Sequence, residues 1–288
     1  MSFTFLITGA SSGFGAAIAI HALEIGHIVV ATARSVEQAK KAYPVIEELG
    51  GIWLTLDVTS PNTEVIVSEA VKKHHVNVLI NNAGYALRGV LEDLSMHQLR
   101  DQMEANLFGA LACTKGALPH FRERKAGTIV NISSTSGISG NAGYTAYAAS
   151  KFAMEGWSES LAAEMACFGV RVLVVEPGGF RTNFQAAVTA SEGSGDGEFV
   201  SEPYRGSPAD EAARRISGGH GKQPGDPAKA AQAIVEAVTG SGRGQDVKGC
   251  LRLPLGKDAV QRAEAKIRDF QENVEKTKHI AKWAVFDS

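Results

Sequence analysis

The chain has 288 residues, of which 44% are hydrophobic and 21% charged, and its formal net charge is −2. This balance is typical of a globular protein with a large core, and its basic residues are too scattered to indicate nucleic-acid binding. The three cysteines, Cys113, Cys167 and Cys250, lie far apart, which argues against a disulfide framework or a thiolate zinc site. We find no signal peptide and no apolar run long enough to span a membrane. We therefore expect a cytoplasmic protein with no metal, no nucleic-acid partner and no membrane association.

Short apolar runs rich in β-formers alternate along the chain with longer segments of helical spacing. We expect strands at residues 3–7, 27–33, 51–56, 76–80, 127–132, 170–175 and 250–254. Helical spacing fills the intervals, as in residues 15–25, 61–74 and 96–124. This alternation predicts an α/β protein in which all 288 residues form one domain. We expect a Rossmann-type, doubly wound, seven-stranded and mostly parallel sheet with helices on both faces.

The C-terminal third has a different composition. Residues 185–226 are rich in Gly, Ser and Pro, which indicates an insertion that is either a substrate lid or disordered, with a short helix near residues 209–216. A helix over residues 227–238 and the last strand follow, and residues 257–288 form a charged helical tail. The tail is most simply a solvated helix, although its apolar residues Ile267, Phe270 and Val274 allow docking on the body or on a second subunit.

The segment TGASSGFG, from Thr8 to Gly15, lies between the first strand and the first helix. Glycines at this place permit a tight turn and the close approach of a pyrophosphate, whose charge meets the helix N-terminus. A glycine turn without a ligand is the alternative. At the end of the second strand a dinucleotide fold carries an acid for NAD or a cation for NADP. Here that position holds Arg34, followed by Ser35, which favours NADP(H).

Polar residues also follow the third and fourth predicted strands. Asp57 and Val58 follow the third strand, and the Asn-Asn-Ala-Gly run of residues 81–84 follows the fourth. Each segment alone is equally compatible with an ordinary turn. Both, however, fall at the carboxyl edge of the predicted sheet, where open α/β folds bind their ligands.

Tyr147 and Lys151 are four residues apart on a predicted helix, so their side chains share one face. An unperturbed tyrosine has a pKa of about 10, and a nearby ammonium together with an oxidised nicotinamide lowers it toward the range useful for acid–base catalysis. Ser134, at the end of the fifth strand, is placed to hydrogen-bond a substrate carbonyl. The alternative for an isolated Tyr/Lys pair is a solvated surface pair.

The order and spacing of these motifs match those of one family. The motifs are TGxxxGxG, NNAG, Ser134 followed by Tyr147-xxx-Lys151, and Pro177-Gly178. Over residues 3–184 the sequence resembles the short-chain dehydrogenase/reductase family. The resemblance implies that Tyr147 is the catalytic acid/base and that Lys151 lowers its pKa and holds the nicotinamide ribose. It further implies that Ser134 positions the reacting oxygen and that Asn106 supports a water-linked proton relay through a local helix distortion.

The resemblance also implies which residues bind the cofactor and the substrate. Asp57 and Val58 match an adenine-contacting pair, and Pro177, Gly178 and Thr182 match a segment facing the nicotinamide carboxamide. The full set expected to bind cofactor is Gly9, Ser11, Ser12, Gly13, Phe14, Gly15, Arg34, Ser35, Asp57, Val58, Asn82, Ala83, Gly84, Tyr147, Lys151, Pro177, Gly178, Phe180 and Thr182. The residues expected to line the substrate pocket are Ser136, Tyr144, Gly179 and Phe184.

The sequence thus predicts an NADP(H)-dependent carbonyl reductase or alcohol dehydrogenase that moves hydride between the nicotinamide and a ketone or secondary alcohol. Phe180, Phe184, Phe199 and Tyr204, near the insertion, favour an apolar, cyclic or aromatic substrate. An isomerase or dehydratase on the same fold is an alternative, as is a non-catalytic NADP(H) sensor, although a sensor has no need of the complete catalytic set. We also expect a homo-oligomer, either a dimer or a tetramer.

Overall fold

The structure is a computed structural model that describes residues 2–184, 189–190, 199–219 and 221–286. Its nine strands are β1 (Thr4–Ile7), β2 (Ile28–Ala33), β3 (Ile52–Thr55), β4 (Val78–Asn81), β5 (Leu87–Arg88), β6 (Gly127–Ile132), β7 (Val170–Pro177), β8 (Thr189–Ala190) and β9 (Arg252–Leu255). Seven of them form one sheet in the order β3-β2-β1-β4-β6-β7-β9, and β5 pairs with β8 in a separate ribbon. All neighbouring strands in both sheets are parallel. The predicted fold class is therefore confirmed, with a sheet that is parallel throughout.

The helices connect the strands and cover both faces of the sheet. They are α1 (Gly13–Glu24), α2 (Val36–Ala42), α3 (Pro44–Glu48), α4 (Thr63–Lys73), α5 (Met96–Met103), α6 (Gly109–Arg124), α7 (Thr135–Ile138), α8 (Thr145–Met165), α9 (Pro208–Gly218), α10 (Pro227–Thr239) and α11 (Lys257–Trp283). A π-helical segment, Glu104–Phe108, separates α5 from α6. The helix expected over residues 96–124 is thus divided by a local distortion.

Side chains of the strands alternate between two cores, as the pleat of a sheet requires. Phe5 and Ile7 of β1 pack with residues of α1 and α10 on one face, whereas Leu6 packs with residues of α4, α6 and α8 on the other. Because both faces are covered, the strands are apolar along their length. The strand order reverses between β1 and β4, so a crevice opens at the carboxyl ends of these two strands.

The described part of the 185–226 insertion packs on the body beside β5. Val200 and Ala209 bury their side chains against Val90. The Tyr204 hydroxyl donates to the Glu92 carboxylate over 2.6 Å, and the Ser201 amide donates to Asp93 over 2.7 Å. The predicted short helix is present as α9. Residues 185–188, 191–198 and 220 of the insertion lie outside the described residues, so its role as a lid stays a prediction.

Candidate active site

A cavity of about 1210 Å³ opens at the carboxyl ends of the sheet. Most of the residues that the sequence predicted to bind ligands line it, including the glycine turn, Arg34, Asp57, Ser134, Tyr147, Lys151, Pro177 and Phe184. Five predicted site residues are not among its lining residues, namely Gly15, Ser35, Asn106, Ser136 and Tyr144. Each of these five has a structural role behind or beside the cavity wall.

The backbone of the glycine turn lies so close to residues 82 and 83 of the same chain that side chains at Gly9 and Gly15 would not fit. Gly9 and Gly13 have φ of 65° and 54°, the left-handed region that glycine adopts without strain. A Cβ on Gly15 would lie 2.6 Å from the Asn82 amide nitrogen and would also meet the Gly9 carbonyl. Ser12 makes no side-chain capping bond to α1, so the amides of the first turn have no side-chain partner there. The turn therefore has the shape and the donors of a phosphate cradle.

The Asn-Ala-Gly segment after β4 holds that turn in place. The Asn82 side-chain amide donates to the carbonyls of Thr8 and Gly9 over 2.9 and 3.0 Å. The Thr8 hydroxyl in turn accepts from the backbone amides of Asn82 and Ala83. The ends of β1 and β4 are thus fastened to each other, which fixes the floor of the crevice.

The far corner of the cavity carries Arg34 and Asp57. Hydrogen bonds from the Thr59 amide and hydroxyl, together with the nearby Arg34 charge, hold the pKa of Asp57 below its usual value, although partial burial opposes them. Arg34 is exposed and lines the cavity. Ser35 caps α2 by accepting from the Gln38 amide over 3.4 Å. The Arg34 guanidinium therefore supplies positive charge to this corner of the cavity. Ser35 stabilises the start of the helix α2 that follows.

Tyr147 and Lys151 lie one turn apart on α8 and are both buried. The Lys151 ammonium donates to the Ile132 carbonyl at the end of β6 over 2.7 Å and stands 5.7 Å from the centre of the Tyr147 ring. Burial lowers the pKa of Lys151 to about 8, against the opposing charge of Glu155. The lysine is therefore anchored beside the tyrosine, and burial makes its ammonium easier to deprotonate than that of an exposed lysine.

The expectation that Lys151, together with an oxidised nicotinamide, lowers the pKa of Tyr147 stays a prediction, because it depends on a bound cofactor. Burial raises the pKa of Tyr147 to about 12, and a hydrogen bond with Ser134 opposes this only partly. The physical reason is that burial removes water from the charged phenolate and so disfavours it. In this arrangement Tyr147 is a neutral phenol, the form that donates a proton.

Ser134 and Ser136 sit where β6 ends and the short helix α7 begins. The Ser134 hydroxyl accepts from the Ser136 amide over 3.1 Å, which fixes its position next to Tyr147. Ser136 itself is buried behind the wall. The structure thus brings Ser134 into the cavity and leaves Ser136 as its backbone support.

Asn106 lies within the π-helical segment and is fully buried. Its side chain exchanges two hydrogen bonds with the backbone of Tyr85, over 3.0 and 2.9 Å, and donates to the Ser150 hydroxyl over 3.1 Å. Ser150 donates to the Tyr147 carbonyl over 2.7 Å. A continuous chain of hydrogen bonds therefore runs from the distorted helix to the backbone of the tyrosine.

Tyr144 lies beside Tyr147, with ring centres 6.1 Å apart, and its hydroxyl turns away toward Arg88. The Arg88 Nε donates to that hydroxyl over 2.7 Å, and the buried guanidinium also lies over the Phe199 ring. Tyr144 therefore supports the wall behind Tyr147 and joins it to the insertion.

Two buried carboxylates, Glu155 and Glu176, meet Arg252 in a charge cluster near Lys151 that was not predicted from the sequence. Arg252 of β9 donates to the carboxylates of Glu155 and Glu176, the latter over 2.6 Å, and to the exposed Glu159. Burial raises the pKa of Glu155 to about 7 and also raises that of Glu176. The cluster joins the helix that carries Tyr147 and Lys151 to the strand that precedes Pro177-Gly178. The one local signal was the placement of Glu155, a further turn along the same face of α8.

The first turn of α11 supports the Pro177-Gly178 segment, which was also not predicted. The Asp258 carboxylate accepts from the Gly179 amide over 2.7 Å and lies against Gly178. Across the cavity, Phe14 and Phe180 meet edge to face with ring centres 5.1 Å apart. Other lining residues that sequence reasoning missed are Leu56, Thr59, Tyr85, Leu87, Gln98, Asp101, Glu104, Ala105, Ile132, Ser133 and Asn183.

The residues present fit a nicotinamide dinucleotide. Gly9 and Gly13 of the glycine turn line the cavity without side chains and so leave room for a pyrophosphate, Arg34 offers a cation at the far corner, and Lys151 stands beside Tyr147 at the other end. The cavity connects these points.

Comparison with known proteins agrees with this geometry. The short chain dehydrogenase family matches residues 4–193. Oxidoreductase claN of Passalora fulva is 52% identical over 219 residues, which are 76% of this chain and 97% of that protein. A short-chain dehydrogenase from Streptomyces avermitilis has 36% sequence identity and a TM-score of 0.83, covering 99% of this chain and 100% of its own. The structure of ElxO with NADP bound has 28% identity and a TM-score of 0.64 over 81% of this chain and 90% of its own. The chain therefore belongs to the short-chain dehydrogenase/reductase family and is an oxidoreductase of that family.

Proposed function

We propose that this protein is an NADP(H)-dependent carbonyl reductase or alcohol dehydrogenase with Tyr147 as its general acid/base. The observation that carries the proposal is the joint position of the Tyr147 hydroxyl, Ser134 and the Lys151 ammonium at one edge of the cavity. A neutral, buried phenol beside a hydroxyl and an ammonium is suited to hand a proton to a carbonyl oxygen.

When bound, the cofactor supplies or accepts the hydride. In the reducing direction Ser134 and Tyr147 hold the substrate oxygen, and the Tyr147 hydroxyl gives it a proton as the carbonyl carbon gains hydride. Lys151 stabilises the resulting tyrosinate because its ammonium lies 5.7 Å from the ring. Asn106, through Ser150, fixes the backbone of Tyr147, and we propose that the π-helical segment supports the proton relay that reloads the tyrosine. The protein thus contributes orientation and a matched proton donor.

NADP(H) is the proposed cofactor because of the charge at the far corner. Arg34 lines the cavity and would hold a 2′-phosphate by its charge, and no carboxylate precedes it at the end of β2. The family uses nicotinamide cofactors, and ElxO, a structural relative, has been seen with NADP.

We propose an apolar ketone or secondary alcohol as the substrate. Phe14, Leu87, Phe180 and Phe184 line the cavity, and the Phe184 ring lies 5.9 Å from that of Tyr147. Phe199 and Tyr204, which the sequence also suggested, pack against Arg88 and Glu92 instead and anchor the insertion.

The test is the oxidation of NADPH, followed at 340 nm with the purified protein and a panel of cyclic, aromatic and aliphatic ketones. We expect consumption of NADPH, little activity with NADH, and one alcohol formed for each NADPH oxidised. Tight NADPH binding without consumption across the panel would contradict the reductase assignment. Conversion of a substrate with no net change in NADPH would favour the isomerase or dehydratase alternative.

We further propose that the chain works in the cytoplasm as a homo-oligomer, a dimer or a tetramer. Cys113, Cys167 and Cys250 are free thiols, which suits a reducing compartment. Among the residues that the structure describes, none of the helices has the length and apolarity that crossing a bilayer requires.

A further inference from the structure

Within the part of the chain that the structure describes, the last helix, α11, is attached to the body through its first turns. Ala259 is its buried residue, and Asp258 is the residue bonded to Gly179. From residue 267 to residue 286, every position is exposed. A helix of 27 residues is about 40 Å long at 1.5 Å per residue. More than half of α11 therefore projects from the body without packing against it.

The projecting part carries an apolar stripe with a seven-residue period. Val260, Ala263, Ile267, Phe270, Val274 and Ala281 fall on one line, separated by three or four residues with Thr277 between the last two. Ile267, Phe270 and Val274 expose 58%, 65% and 45% of their surface. Alternate spacing of three and four is that of a coiled-coil seam. Helices gain most of their stability when an apolar face packs against another element. We therefore expect a second helix to cover this stripe.

We propose that α11 pairs antiparallel with α11 of a second copy of this chain. In the register that aligns the two seams, Phe270 of each copy faces Val274 of the other, and Ile267 faces Thr277. Large side chains then meet smaller ones along the seam, as close packing requires.

The charges beside the seam select the antiparallel direction. In this register Glu264 flanks Lys278 of the second copy, and the symmetry of the pair repeats the contact. In a parallel pair the position facing Glu264 is occupied by Ala259, and the position facing Lys278 by Asn273. Only the antiparallel arrangement therefore brings opposite charges together across the seam.

The position of the bodies favours the same direction. Each body is attached at the N-terminal end of its own α11. Paired helices lie 8–10 Å apart, which is far less than the width of a domain of this size. A parallel pair would crowd two bodies at one end, whereas an antiparallel pair places them at opposite ends.

The first test measures the molar mass of the full chain by light scattering. The variant Phe270→Lys/Val274→Lys should halve the mass or raise the dissociation constant at least 100-fold, because it places lysines in the seam. The matched control, Gln261→Lys/Glu272→Lys, adds two lysines to the outer face of the same helix and should keep the wild-type mass. Circular dichroism and NADPH binding verify that both variants are folded. A monomeric wild type, or a mass that the seam variant leaves unchanged, would overturn the proposal.

The second test exchanges the flanking charges. Glu264→Lys alone and Lys278→Glu alone should each weaken association by roughly 3- to 10-fold, since each creates two like-charge contacts of the exposed kind. Combining the two substitutions restores the opposite pairs and should restore the wild-type dissociation constant. Additive weakening in the double variant would overturn the antiparallel register. These readouts do not depend on turnover, so they stand apart from the proposed enzymatic reaction.

Discussion

The body of the protein and the projecting part of α11 use their polar and apolar groups in opposite ways. In the body, polar side chains such as Thr8, Asn82 and Asn106 are buried or half-buried, and they form hydrogen bonds with nearby backbone groups. In the projecting part of α11, apolar side chains such as Phe270 and Val274 are exposed and have no cover within the described chain. The first arrangement fixes atoms for chemistry, and the second leaves surfaces for other molecules. We therefore expect substitutions in the body to disturb cofactor binding and catalysis, and those in the projecting part of α11 to disturb assembly alone.

The largest effect on cofactor binding should come from filling the glycine turn. Gly15→Ala places a methyl group 2.6 Å from the Asn82 amide nitrogen, so the turn must open. We expect NADPH affinity to fall at least 100-fold in a fluorescence titration, with about 1–3 kcal/mol lost from the free energy of unfolding. The control is Gly156→Ala on α8, where the added methyl meets nothing within 4 Å. It should bind NADPH normally and gain about 0.5–1 kcal/mol. Equal NADPH affinity in both variants would refute the proposed cradle.

Reversing the charge at the far corner should change the choice of cofactor. Arg34→Glu removes the cation proposed to bind the 2′-phosphate, and a hydrogen bond to a charged group is worth about 1.5–3 kcal/mol. The ratio of NADPH to NADH affinity should therefore fall roughly 10- to 150-fold. Lys41→Glu, in the last turn of α2 and paired with the exposed Glu37, provides the control and should keep the ratio. A ratio that Arg34→Glu leaves intact would place NADP selection elsewhere.

The buried Glu155 carboxylate in the charge cluster near Lys151 should change how the free energy of unfolding depends on pH. The folded pKa of Glu155 is about 7, above the ordinary value of 4.5, so the folded state binds more protons between these two pH values. Its contribution to stability therefore falls as pH rises from about 4.5 to 7. Glu155→Gln removes this titration. The free energy of unfolding of the variant, relative to wild type, should rise across that range by on the order of 2–3 kcal/mol.

Glu159→Gln is the control for the cluster. Its carboxylate also pairs with Arg252 but is 57% exposed, against 6% for Glu155. Urea unfolding at several pH values should show no pH-dependent difference between Glu159→Gln and wild type. The account of the cluster fails if both variants change with pH alike.

The smallest effect should lie where the two parts of the chain meet. Asp258→Ala removes the acceptor of the Gly179 amide, which loosens the segment expected to face the nicotinamide. A hydrogen bond of this kind is worth about 1 kcal/mol, so the KM for NADPH should rise about fivefold. Glu272→Ala, farther along the same helix and paired only with Lys276 among the described contacts, should leave KM unchanged. If the KM for NADPH is unchanged in Asp258→Ala, the contact of α11 with Gly179 makes no contribution to NADPH binding.

Much of the fold was predictable because its signals are local. The alternation of apolar runs with helical spacing located all seven strands of the main sheet, and the glycines, Arg34 and the Tyr147–Lys151 pair stand next to strand ends or on one helix face. The two-residue strands β5 and β8 were missed because two residues are too few to show a period.

The remaining features depend on contacts between residues far apart in the chain. Arg252 donates to Glu155, which is 97 residues away in the sequence. Arg88 donates to the Tyr144 hydroxyl, which is 56 residues away. Neither contact has a periodic signature in the sequence, so Tyr144 was expected in the substrate pocket and Glu155 was not considered.

The most direct test of the central claim is a single-turnover experiment with Tyr147→Phe. Protein saturated with NADPH is mixed rapidly with a ketone that the wild type reduces, and absorbance at 340 nm is followed. We predict rapid loss of absorbance for wild type and a rate at least 1,000-fold lower for the variant, with NADPH still bound by both, because the substitution removes the hydroxyl that supplies the proton. If the variant oxidises NADPH at a similar rate, Tyr147 is not the proton donor and the proposed mechanism is wrong.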